Sequence, residues 1–141
     1  MTGGSAQRIL GSIGVLVLLA AVPAAAHEGH GATESVRIAE LQNIELGELA
    51  GKRASMVRVT FQPGAASPPH RHPGTVIVYV LEGEIRSALN DEQGVTYHAG
   101  ESWTEPVGTL HRVAVNTSDK AAVLLAILLH DAEDALQQPA E

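Results

Sequence analysis

The sequence predicts an all-β domain, folded as a sandwich or barrel of short strands. Short runs in which apolar residues alternate with polar ones, or follow one another without a break, recur along the chain. The segments between these runs are rich in Gly, Pro, Asn and Asp, which favour tight turns. No window long enough for a major helix has apolar residues at a 3.6-residue period.

Ordered structure is expected to begin near Val36, and the strands follow from residue pattern. In the first of them Val57, Val59 and Phe61 alternate with polar neighbours, which is typical of a strand with one buried face. The acidic C-terminal tail, residues 131–141, is at most a frayed helix. The predicted strands span residues 54–61, 75–81, 84–89, 95–98, 111–115 and 121–129.

The first 26 residues have the pattern of a cleavable signal peptide. A positive charge at Arg8 precedes an apolar stretch, residues 9–22, and three alanines after Pro23 suit cleavage before His27. The alternative is an uncleaved anchor, but the apolar stretch is shorter than the roughly 20 residues that span a bilayer. We therefore predict a periplasmic or secreted protein without a stable membrane anchor, in which a flexible leader, residues 27–35, precedes the domain.

Composition excludes several kinds of partner and metal site. The chain has 9 Lys and Arg against 16 Asp and Glu, and no basic cluster with interleaved aromatic residues. A chain of this kind does not neutralise phosphates, so nucleic acid is not an expected partner. Because there is no cysteine, a bound metal would be held by histidine, carboxylate or water.

Two histidines separated by one residue, His70 and His72, precede the second predicted strand. In extended chain, residues i and i+2 point to the same face about 6.5 to 7 Å apart, so both imidazoles can reach one ion. This pair alone is more typical of exposed loop histidines. A second cluster, GESWTEPVGTLHRVAVN, brings His111 to the start of another predicted strand and strengthens the metal hypothesis.

Taken together, the two clusters resemble the two sequence motifs of the cupins. The first motif is Gly, five residues, His-x-His, three or four residues, Glu, six residues and Gly. The second is Gly, five residues, Pro-x-Gly, two residues, His, three residues and Asn. The resemblance implies a small double-stranded β-helix (jelly-roll) barrel over residues 36–130, similar to small single-domain bacterial cupins. The matching residues are Gly64, His70, His72 and Gly83 in the first motif and Gly100, Pro106, Gly108 and His111 in the second.

Two positions depart from these motifs. Val76 lies seven residues before Gly83, where the family's usual carboxylate ligand stands. Asn116 lies five residues after His111, one residue beyond the expected asparagine, which puts a turn contact in doubt. Valine offers no ligand atom, so the resemblance implies a site made of histidines alone.

The resemblance therefore implies one divalent ion held by His70, His72 and His111, with Fe, Zn, Cu, Ni and Mn as candidates. Glu105 lies beside Pro106, and two interpretations of it stay open. It either supplies the missing oxygen ligand or, the preferred interpretation, lies at the rim or hydrogen-bonds to a ligand.

A metal site with open positions admits water, dioxygen or substrate oxygens. We expect a metal-dependent enzyme, dioxygenase-like or related, that acts on a small anionic or enol-type substrate. The alternative is a non-catalytic cupin of the cell envelope that binds a metal or small ligand. A polar, roomy interior would favour the enzyme, and a sealed apolar interior would favour binding.

We also expect a homodimer, because the apolar run 121–129 would be a hazardous exposed edge strand.

Overall fold

The computed structural model describes residues 35–140, in which all regular structure is β-strand. The predicted all-β class is therefore confirmed. The strands are β1 (Val36–Glu45), β2 (Lys52–Phe61), β3 (Ala66–Ser67), β4 (His70–Arg71), β5 (Thr75–Glu82), β6 (Glu84–Leu89), β7 (Val95–His98), β8 (Ser102–Glu105), β9 (Leu110–Val115), β10 (Ala122–Asp131) and β11 (Gln138–Pro139).

The strands form two antiparallel sheets. One has the order β1-β2-β10-β5-β8, and the other has the order β11-β4-β9-β6-β7 with β3 also paired to β9. Neighbouring strands are mostly distant in sequence, so the two sheets are wound by crossovers rather than by successive hairpins. This is the double-stranded β-helix that the motifs implied.

The core lies between the sheets, and strict alternation in β5 shows how the sequence creates it. Val76, Val78 and Val80 are buried, whereas Ile77 and Tyr79 point outward and are exposed. Successive side chains on a strand point to opposite faces, so a run of consecutive apolar residues still has only one core-facing half. The buried cluster includes residues from both sheets, such as Ile85 and Ala114 of the second sheet.

Strand prediction succeeded best where strands are long or bounded by glycine turns. The bounds of β6 and β7 agree with the prediction, and those of β2, β5, β9 and β10 differ by at most two residues at either end. The short strands β3, β4, β8 and β11 and the first strand β1 were missed. In the C-terminal tail β11 pairs with β4, so this segment adds a strand rather than a frayed helix.

The premise of the predicted homodimer is wrong. The apolar strand β10 is not an edge, because it pairs with β2 on one side and with β5 on the other. An almost continuous apolar run belongs in the middle of a sheet that is covered by a second sheet. The edge strands of this sheet are β1 and β8, and β1 exposes Ile38, Leu41 and Ile44.

The predicted signal peptide and nearly all of the leader lie outside the described residues, so export remains a prediction. Over residues 35–140, no helix has the length and apolarity needed to cross a bilayer.

Asn116 makes the turn contact that its displaced position had put in doubt. The side chain is fully buried, and its amide group donates to the backbone carbonyls of Phe61, Gln62 and Lys120 at 3.2, 3.2 and 2.6 Å. Its oxygen accepts hydrogen bonds from the backbone N–H and the hydroxyl of Ser118. Asn116 therefore joins the end of β2 to the turn between β9 and β10.

Candidate metal centre

The three histidines predicted as ligands lie together in the barrel interior. His70 on β4 is the register partner of His111 on β9, and paired residues of antiparallel strands project to the same face. His72 follows directly after β4. His70 and His111 are buried and His72 is partly buried. One nitrogen from each ring lies within 4.8 Å of the others, so the group can hold a metal ion.

Backbone carbonyls fix the orientation of two of these rings. Nδ1–H of His70 donates to the carbonyl of Pro68 at 2.8 Å, and Nδ1–H of His72 donates to that of Leu136 at 2.5 Å. A neutral imidazole has one N–H, so Nε2 of each ring carries a lone pair. These two Nε2 atoms lie 3.2 Å apart. Two lone pairs that face each other at this distance favour a cation between them.

The third ring, His111, is oriented by Ser87. Its Nε2 lies 2.9 Å from the Ser87 hydroxyl, while its Nδ1 is buried without a hydrogen-bond partner. A buried polar atom without a partner is costly, and metal ligation is one way to satisfy it. The ring nitrogens thus fit a divalent ion, which ordinarily binds neutral imidazoles supported by such outer hydrogen bonds.

Burial keeps these imidazoles in the form that binds metals. Desolvation is the largest cause that lowers the pKa of His70, His72 and His111. The neighbouring imidazoles add to this effect at His111, because positive charges at this spacing repel each other, and its pKa is lowered to about 4. At neutral pH His111 is therefore uncharged, and when its Nε2–H donates to the Ser87 hydroxyl its Nδ1 carries the lone pair.

Glu105 lies inside the barrel, 2% exposed, and not at the rim. Trp103 Nε1–H donates to its Oε1 at 2.9 Å. The expected hydrogen bond between Glu105 and a histidine ligand is therefore replaced by one from Trp103. Oε1 of Glu105 lies 3.1 Å from His111 Nδ1, and its Oε2 lies 3.5 Å from His72 Nε2 with no hydrogen-bond partner. Burial raises the pKa of Glu105, which the Trp103 bond partly opposes.

Val76 lies where the motif carboxylate was expected, and its side chain lines the same cavity as His72. It is 1% exposed and is the register partner of Glu105 across β5 and β8. The expected ligand position thus holds an apolar side chain, and a carboxylate lies directly opposite on the neighbouring strand.

The histidines open into a cavity of about 120 Å³ between the two sheets. Its lining reaches from buried core residues to the exposed side chains of Ile38 and Gln137, so the cavity extends to the surface. Apart from the histidines, Glu105 is the single ionisable residue of the lining among the described residues, and no Lys or Arg contributes. Most of the wall is aliphatic or aromatic, as shown by Val57, Val59, Phe61, Val78, Leu124 and Leu128.

Two further histidines of the described chain do not join the site. His98 is exposed beside the carboxylates of Glu84 and Glu101. His130 is buried, and Ser55 and a backbone carbonyl satisfy its two ring nitrogens. His98 is thus a surface histidine and His130 a structural one.

Sequence reasoning missed Ser87 and Trp103, which hold two of the site's side chains. Ser87 has no distinguishing sequence signal, because its contact with His111 depends on the pairing of β6 with β9. Trp103 could have been found, since it lies two residues before Glu105 and strand alternation places both on one face.

Comparison with known proteins identifies the family. Residues 57–128 match the family described as cupin domain, which covers half of the chain. This chain is a cupin.

Curated relatives of this cupin are plant proteins. It is 38% identical over 77 residues to germin-like protein subfamily 2 member 2 of Arabidopsis thaliana, and 35% identical over 75 residues to the rhicadhesin receptor of Pisum sativum. Each match covers about half of this chain, 51% and 50%, and 35% of the relative. The chain thus matches about a third of the length of these proteins.

Solved structures support the same fold. Oxalate oxidase in complex with the substrate analogue glycolate has a TM-score of 0.56 at 25% identity, covering 70% of this cupin and 52% of that chain. An uncharacterised protein with a double-stranded β-helix domain from Klebsiella pneumoniae has a TM-score of 0.63 at 16% identity, covering 77% of this cupin and 87% of that chain. The second likeness shows the fold alone.

Proposed function

We propose that this cupin is a metal-dependent enzyme whose divalent ion is held by His70, His72 and His111. The observation that carries the proposal is the convergence of three uncharged, oriented imidazoles at one end of a cavity that reaches the surface. A divalent ion bound there would polarise a substrate oxygen or support dioxygen chemistry, as in other open metal sites. The chain itself orients the ligands and excludes water around them with an apolar wall.

The residues that line the cavity favour an enol-type substrate with an apolar body rather than a small dianion. No Lys or Arg of the described residues lines the cavity, and the buried Glu105 does, so the ion would have to balance both a dianion and this carboxylate. A β-dicarbonyl offers two oxygens with one shared negative charge and leaves its carbon skeleton against aliphatic walls. Oxalate oxidase, 25% identical, has been solved with glycolate, so a small hydroxy acid is the natural comparison ligand.

A second candidate function is non-catalytic binding of a metal or small ligand. The apolar character of the cavity wall favours this candidate, because a binding site needs no polar groups to move protons. The opening to the surface favours the enzyme. Export to the periplasm or beyond would suit either function.

The two functions differ in turnover. Protein loaded separately with Fe²⁺ and Mn²⁺ is mixed with acetylacetone or glycolate, and dioxygen uptake and ligand loss are followed. The enzyme proposal expects catalytic consumption of acetylacetone above that of glycolate, and none by metal-free protein or by His111→Ala. Stoichiometric binding without consumption would favour the non-catalytic candidate. Binding of neither ligand would contradict the proposed substrate class.

We further propose that the protein forms a homodimer through β1 rather than through β10. Among the described residues β1 is an edge strand, and it exposes Ile38, Leu41 and Ile44. A second copy that pairs with this edge would cover these side chains. Light scattering should report a dimer at micromolar concentration, and Ile44→Lys should shift it towards monomer. A wild-type monomer at that concentration would contradict the association.

A further inference from the structure

The carboxylate missing from position 76 has a counterpart one strand away. Val76 and Glu105 are register partners on β5 and β8, and such partners project to the same face of the sheet about 5 Å apart. Both side chains are buried and line the same cavity as the histidines. Glu105 therefore reaches into the space that a glutamate at position 76 would enter.

The distances around Glu105 match those between ligands of one ion. Ligand atoms about 2.1 Å from an ion lie about 3.0 Å apart at right angles and about 3.4 Å apart in a tetrahedron. Here Glu105 Oε1 lies 3.1 Å from His111 Nδ1 and Oε2 lies 3.5 Å from His72 Nε2. Nε2 of His70 and Nε2 of His72 are 3.2 Å apart.

These contacts are not explained as hydrogen bonds. Nε2 of His72 has no proton when its Nδ1–H donates to the Leu136 carbonyl, so it cannot donate to Glu105. Both Glu105 Oε2 and His111 Nδ1 are buried and lack a hydrogen-bond partner. Unpartnered lone pairs of a carboxylate and imidazoles around one point are the arrangement that a cation satisfies.

The surrounding structure holds this carboxylate in place. The Trp103 indole binds Oε1 at 2.9 Å, and the indole ring stacks on Tyr97 with centroids 4.6 Å apart. This bond leaves Oε2 as the oxygen without a partner. The loop after Glu105 is tied to the histidine segment, because Gly108 N–H donates to the His72 carbonyl at 2.9 Å.

We propose that Glu105 is the fourth protein ligand of the metal centre and supplies, from β8, the carboxylate that Val76 on β5 lacks. This inference rests on the proposed three-histidine site. It changes the charge of that site, because one carboxylate balances half the charge of a divalent ion. A site of three imidazoles alone would leave the whole charge for the substrate to balance.

The test is a titration with Co²⁺, which reports both affinity and ligand geometry through its visible absorption. Glu105→Gln keeps the size of the side chain and the oxygen that accepts from Trp103, but removes the charge. Its Co²⁺ affinity is expected to fall by about 100-fold or more, with an altered absorption spectrum. The double variant Val76→Glu/Glu105→Val moves the carboxylate back to β5 and is expected to recover affinity to within about tenfold of wild type.

Glu101→Gln is the matched control, because Glu101 is an exposed glutamate four residues earlier whose carboxylate, among the described residues, forms hydrogen bonds and an ion pair with His98 alone. It should bind Co²⁺ as the wild type does. A Glu105→Gln affinity within threefold of wild type would overturn the proposal. So would a folded double variant that does not recover affinity, since Glu105 would then act through its neighbours.

If the double variant does not fold, the Glu105→Gln spectrum decides. An altered spectrum supports ligation, and a spectrum identical to wild type overturns it. Wild-type protein that binds no Co²⁺, Fe²⁺ or Zn²⁺ would overturn the metal centre itself and this inference with it. Loss of metal in His111→Ala with full retention in Glu105→Gln would leave the histidine site standing and remove only Glu105.

Discussion

His111→Ala is expected to abolish stoichiometric metal binding. The substitution removes one of three converging imidazoles, and alanine offers no ligand atom in its place. Loss of groups that merely support a ligand costs about 10- to 100-fold in affinity, and loss of a ligand should cost more. Metal per chain, measured by elemental analysis after dialysis against a weak chelator, should fall from about one to near zero.

Two other histidines provide controls for this result. His98→Ala alters an exposed side chain outside the cavity and should leave metal content unchanged. His130→Ala removes the partner of the buried Ser55 hydroxyl, so it should lower stability but leave metal content unchanged in the folded fraction. Full metal content in folded His111→Ala would contradict the three-histidine site. Folding is checked by far-ultraviolet circular dichroism.

Asn116→Ala is expected to cause a large loss of stability. The side chain is fully buried, and the substitution leaves the carbonyls of Phe61 and Lys120 and the backbone N–H of Ser118 without this partner. An unsatisfied buried group costs about 1 to 3 kcal/mol, and water can partly satisfy the groups of the half-exposed turn, so a total of about 2 to 4 kcal/mol is expected. Urea unfolding of metal-free protein should show this as a lower midpoint with an unchanged slope.

Asn116→Asp distinguishes the hydrogen bonds from simple loss of volume. It retains the acceptor for Ser118 but turns an oxygen towards the carbonyls of Phe61 and Lys120, so it should destabilise although its size is unchanged. Gln93→Ala is the control, because Gln93 is exposed and its side chain makes no hydrogen bond among the described residues, and such changes usually cost within about 0.5 kcal/mol. Equal unfolding midpoints for Asn116→Ala and Gln93→Ala would show that the turn contact contributes little.

The fold class and the histidine group were predictable because both depend on local pattern and on motif spacing. The alternation of Val57, Val59 and Phe61 with polar residues along β2 reports a buried face directly, and Gly83 separates β5 from β6. The spacing of His70 and His72 needs only an extended chain to place both rings on one side. His111 required the family resemblance, since 38 residues of turns and strands separate it from His72.

Short strands were not predictable in the same way. Strands of two residues, such as β4 and β11, have no periodicity of their own and exist because a neighbour supplies hydrogen bonds. The error about β10 has the same origin. Its apolar run indicates a largely buried strand, but which strands flank it depends on the winding of the sheets.

Residue pattern alone therefore establishes an all-β chain with turns at glycine and asparagine, and it places His70 and His72 on one side of an extended segment, whereas the motif resemblance was needed to add His111. These properties depend on chemistry and spacing within short segments. The proposed role of Glu105 as a metal ligand depends instead on strand register, because only the pairing of β5 with β8 places Glu105 opposite Val76. The charge and lining of the cavity likewise depend on which faces the two sheets bury together, since a side chain's surroundings come from strands distant in sequence.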